Sequence, residues 1–87
     1  MPELCQFLGI SIKMQYDDHA PPHIHVWHGG RYRAKVDIRT GEVLEGDLPR
    51  AQLVCVTAWL ILHQREIASA WNKVTSGRKP GKIAPLR

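Results

Sequence analysis

Two cysteines, Cys5 and Cys55, and no apolar run beyond ten residues set the first limits on this 87-residue chain. Two thiols are too few for a disulfide framework, and they do not form a CxxC pair. The longest apolar stretch, Leu53 to Leu62, is interrupted only by Thr57 and spans ten residues. A bilayer needs about 20, so this stretch reads as a buried helix and no membrane segment is expected. There is no glycine-rich phosphate loop, no Ser/His/Asp pattern, no internal repeat and no low-complexity segment. A chain this short is one domain that buries about 60–65% of its unfolded surface, and it cannot hold a two-domain dinucleotide enzyme. The expected setting is reducing and cytoplasmic.

What is present argues for a folded core. Hydrophobic residues make up 44% of the chain and there are three tryptophans, which excludes a disordered polar chain. The net charge of +4 is uneven. The last ten residues carry Arg78, Lys79, Lys82 and Arg87 without an acid, which leaves eight bases against eight acids in residues 1–77. The reading is a neutral domain over 1–77 and a basic, extended tail over 78–87. A pI near 9.4 ordinarily points to a polyanionic partner, but here it comes from a short tail.

Strand signals fill the first half. Ile10, Ile12, Met14 and Tyr16 alternate with Ser11, Lys13, Gln15 and Asp17. The segment Asp17 to Pro22 reads as a loop, because its two prolines cannot donate to a ladder. A second strand covers His23 to His28, and Gly29-Gly30 marks a turn. A third places Tyr32, Ala34, Val36 and Ile38 on one face, and Glu42 to Glu45 makes a short fourth. Asp47 and Pro49 read as a helix start. Ile67, Ala70, Trp71 and Val74 form the apolar stripe of a second helix, which Ser76-Gly77 ends. Strands before helices give an α+β domain: an antiparallel sheet of three to four strands with two C-terminal helices packed on one face.

Four of the five histidines, His19, His23, His25 and His28, fall within ten residues. On a strand, His23 and His25 point the same way, about 6–7 Å apart. His19, across the double-proline loop, is placed to fold back over them. Three imidazoles, with Asp17 or Asp18 supplying an oxygen, suit Zn²⁺, Ni²⁺ or Cu²⁺, with Zn²⁺ or Ni²⁺ the expected ions. The same imidazoles would also serve as general base and acid in metal-independent cleavage of RNA, with Lys13, Arg33 and Lys35 holding phosphate. The plainer alternative is that these side chains simply bond the backbone of the loop.

The turn length decides the faces. A two-residue turn at Gly29-Gly30 pairs His28 with Arg31 and sets His23 and His25 on the apolar face of the third strand. A three-residue loop pairs His28 with Tyr32. It buries Ile24 and Val26 with Val36 and Ala34, and leaves His23, His25 and Trp27 on an open face with Lys13, Arg33 and Lys35. The second register separates polar from apolar residues and is the expected one. Its outer face has the composition of RNA-binding sheets. Cys55 reads as a small hydrophobe, Cys5 as a weak thiol candidate, and Trp59 and Trp71 as core or interface.

Together the segments YDDHAPPHIHVWHGG, VDIRTGEVLEGDLPR, AWLILHQREIASAW and KIAPL resemble a small bacterial family known as domain of unknown function 4160. The resemblance runs from about Phe7 to Leu86. It departs at Gly29-Gly30-Arg31-Tyr32, one residue longer than the usual family turn, which favours the longer loop. The resemblance implies a bacterial protein encoded beside a second small domain of unknown function, numbered 2442, in a layout like that of toxin–antitoxin pairs. It assigns no activity. The function expected is that of one half of such a pair, bound to a small partner protein and binding or cleaving RNA through its histidines. The alternatives are a metal-binding module on the same residues and a non-catalytic interaction domain that forms homo- or hetero-oligomers.

Overall fold

In the computed structural model, residues 1–86 are described and Arg87 of the basic tail lies outside the described residues. Five strands, β1 (Glu3–Phe7), β2 (Ile10–Lys13), β3 (His23–His28), β4 (Arg31–Asp37) and β5 (Val43–Gly46), precede two helices, α1 (Arg50–Leu62) and α2 (Gln64–Thr75). The strands form one antiparallel sheet in chain order. The α+β arrangement is as the sequence implies, but the sheet has five strands rather than three to four. The additional one is β1, whose Leu4 and Cys5 are adjacent and both buried, so it lacks the alternation that marks a strand.

Three of the four strand pairs carry a bulge, with an extra residue at Leu4, Arg33 or Leu44. The bulge in β4 corrects the expected register. Gly29 and Gly30 form a two-residue turn, both at positive φ, and His28 does pair with Arg31. Arg33 then goes unpaired, so Val26 meets Ala34, Ile24 meets Val36 and His25 meets Lys35. The apolar and polar residues of β3 therefore separate as the longer loop would have arranged, but through a bulge. The bulge also moves Tyr32 off the face of Ala34 and Val36 and places it beside Trp27 and His25.

Ile10, Ile12, Ile24, Val26, Ala34 and Val36 form one buried cluster with Val56, Trp59 and Leu60 of α1 and Ile67, Ala70, Trp71 and Val74 of α2. The four α2 residues are the stripe read from the sequence. Asp47 does not cap α1: Pro49 holds the N-cap position without a side-chain bond, and the Asp47 amide donates to the Arg33 carbonyl at 3.0 Å. His63 joins the helices, closing α1 and opening α2, with Nδ1 2.8 Å from Glu66. After α2 the described residues have no regular secondary structure. There the Ile83 amide donates to the Leu4 carbonyl at 2.8 Å, and the Trp59 indole N–H donates to the Ala84 carbonyl at 2.8 Å. No helix among the described residues is long and apolar enough to cross a membrane.

Gly46 tests how tightly the edge strand is held. It sits at φ 82°, and a Cβ there would lie 2.1 Å from the Arg33 carbonyl oxygen. Left-handed backbone and a clash with main chain act together, so Gly46→Ala should cost about 3 kcal/mol in urea denaturation. An unchanged unfolding midpoint would mean that β5 shifts freely against β4.

Candidate functional site

The site begins with the alternation of β3. His23 and His25 are two residues apart and share the face opposite Ile24 and Val26. The loop before β3 returns over that face. Asp17 takes a left-handed φ of 57°, which a short polar side chain tolerates, and its amide faces the Val74 carbonyl at 3.5 Å. This bend sets Asp18 above the histidines. The Nε2 atoms of His23 and His25 lie 2.8 and 3.0 Å from the same atom, Oδ2 of Asp18. The other oxygen, Oδ1, accepts the His19 amide at 2.9 Å. Nδ1 of His23 lies 2.7 Å from the Pro21 carbonyl. A carbonyl only accepts, so this ring nitrogen carries a proton and donates it to the loop.

The open polar face expected for the two histidines is corrected by the structure. His23 is 3% exposed and His25 7%. The returning loop covers them, the Trp71 ring of α2 lies 5.2 Å from His23, and the Tyr32 ring lies 5.9 Å from His25. His19 does not fold back over the pair. It is exposed, its backbone N–H bonds Asp18, and it lines the cleft that Asp18 and His23 border. Of the two aspartates offered as oxygen ligands, Asp18 faces the imidazoles, and Asp17 is exposed outside the group.

The register places the basic residues. One cross-strand row runs Glu3, Lys13, His25, Lys35, Glu45 over all five strands. Lys13 rests over the Trp27 ring, 4.4 Å from its centroid. Lys35 lines a cleft of about 320 Å³ with Asp18, His23 and Glu45. Arg33, taken up in the bulge, does not line it. Glu45 and Tyr32 were missed by the sequence reading. The Tyr32 hydroxyl donates to Glu45 at 2.9 Å. The signal for both lay in the pairings of β4, which the bulges hide.

Burial alone would raise the Asp18 carboxyl, but hydrogen bonds from His25, the His19 amide and His23 outweigh it and hold it below the usual aspartate range. Burial, with Glu45 beside it, pushes the Tyr32 hydroxyl up to about 12. Burial also pushes the Cys5 thiol up, which removes it as a nucleophile at neutral pH.

These directions yield a test of the cluster as a structural unit. Asp18→Ala leaves the two Nε2 atoms without their shared acceptor and should cost about 2–3 kcal/mol at neutral pH. The Asp18 pKa is depressed by folding, so its contribution is complete above the ordinary aspartate range and is lost as pH falls through the lowered value. Urea denaturation of both proteins should show the gap closing in acid. A gap that is the same at every pH would remove the carboxylate from the account.

No curated protein and no solved structure matches the chain. The model of the family described as a domain of unknown function (DUF4160) matches residues 9–72, which hold β2 to β5, α1, most of α2 and every residue of the Asp18–His23–His25 cluster. The chain belongs to that family.

Proposed function

We propose that this chain is a metal-binding module whose ligands are Asp18, His23 and His25. The observation that carries this reading is the convergence of three donor atoms, all within 4.8 Å of one another, with the Pro21 carbonyl holding Nδ1 of His23 so that Nε2 faces Asp18. A backbone acceptor on Nδ1 is the usual means of presenting Nε2 to a metal. Ligands at right angles around a first-row metal, each about 2.1 Å from it, stand about 3.0 Å apart. The His–Asp separations here are 2.8 and 3.0 Å, those of hydrogen bonds, so a metal would replace the bonding protons and spread the donors, toward about 3.4 Å for a tetrahedral zinc site. Two imidazoles and one carboxylate, without a thiolate, suit Zn²⁺ or Ni²⁺.

Calorimetry on chelator-treated protein lacking a histidine tag tests this. One equivalent of Zn²⁺ or Ni²⁺ should bind, and at a hundredfold excess over Kd the fold should gain about 2.7 kcal/mol. His25→Ala should weaken binding by about tenfold or more. No binding heat together with an unmoved melting temperature would end the proposal.

A second reading takes support from Lys35, which shares the cleft with His23. In it, His23 and His25 act as acid and base on RNA, and the protein is one half of a toxin–antitoxin-like pair. It ranks below the metal reading because both imidazoles are buried and already engaged by Asp18. It predicts growth arrest on expression, relieved by His23→Ala. Normal growth with intact RNA would dispose of it.

A further inference from the structure

A metal held by Asp18, His23 and His25 would have protein donors on one side only. Asp18 and His23 border the cleft of about 320 Å³, while His25 is not among its lining residues. Exchangeable positions on the metal would open into this space.

The charges around the cleft are not those of a purely structural site. Lys35 stands directly across the β3–β4 pair from His25 and is only half-buried. No ion pair engages its ammonium group among the described residues. Its cross-strand neighbour Glu45 instead accepts the Tyr32 hydroxyl at 2.9 Å. A divalent ion with one carboxylate ligand keeps one positive charge and Lys35 adds a second, against the one negative charge of Glu45. A compact ammonium next to a Lewis acid suits a tetrahedral oxyanion, which bridges the two with separate oxygens.

We infer that the cleft binds a phosphoryl group, one oxygen on the metal and another on Lys35. This inference rests on the metal reading, and its test separates the two. The protein is loaded with Co²⁺, whose electronic spectrum reports the ligands around it. Inorganic phosphate and dimethyl phosphate are then titrated, with acetate at matched ionic strength as control. Inorganic phosphate should shift the spectrum saturably and acetate should not. A response to dimethyl phosphate as well would extend the site to diesters, the linkage of nucleic acids. Lys35→Met should retain Co²⁺ affinity and lose about tenfold or more in phosphate affinity, and Lys35→Arg should recover most of it. A Co²⁺ spectrum that phosphate leaves unmoved, or a Lys35→Met protein with undiminished phosphate affinity, overturns this inference and leaves the metal reading standing. Absence of any protein-bound Co²⁺ spectrum, together with no binding heat for Zn²⁺ or Ni²⁺, overturns both.

Discussion

A single carboxylate oxygen, Oδ2 of Asp18, holds two imidazoles and through them fixes how the double-proline loop lies on the sheet. Burying His23 and His25 would be costly without partners, since each ring carries polar atoms out of water. Asp18 supplies that partner to both. The arrangement also needs the left-handed turn at Asp17, the Pro21 carbonyl against Nδ1, and the Trp71 ring that closes over His23. The loop, the strand and α2 thus meet at one polar point at the edge of an apolar core.

Much of the fold was legible because its elements obey simple periods. The α2 stripe of Ile67, Ala70, Trp71 and Val74 follows the helical repeat and is buried as such. Ile24 and Val26 follow the strand repeat and join the core. The misreadings fall where a bulge breaks the period of two. Leu4 in β1 concealed a whole strand, and Arg33 in β4 moved Tyr32 to the other face. Local pattern carries no mark of an extra unpaired residue, since that residue is fixed by its neighbours across the ladder.

The cluster was legible in part for the same reason. His23 and His25 share a face by spacing alone, so their proximity followed from the strand. Their burial did not, because it depends on a loop conformation and on a tryptophan nearly fifty residues further along the chain. His19 belongs to a flanking bend whose direction its sequence does not encode, and the choice of Asp18 over Asp17 is likewise made by the backbone at one residue. Glu45 enters only through a ladder that itself contains a bulge.

The spare residue in β4 has a consequence for how this hairpin can vary among relatives. Arg33 divides the ribbon into a tip, around the two glycines, and a base that holds Lys35 opposite His25. A chain that loses or gains one residue near the tip can lose or regain the bulge instead of inverting the base. Divergence in the length of this turn is therefore compatible with an unmoved pair of imidazoles, and the outermost part of the ribbon is free to drift while its root stays in phase.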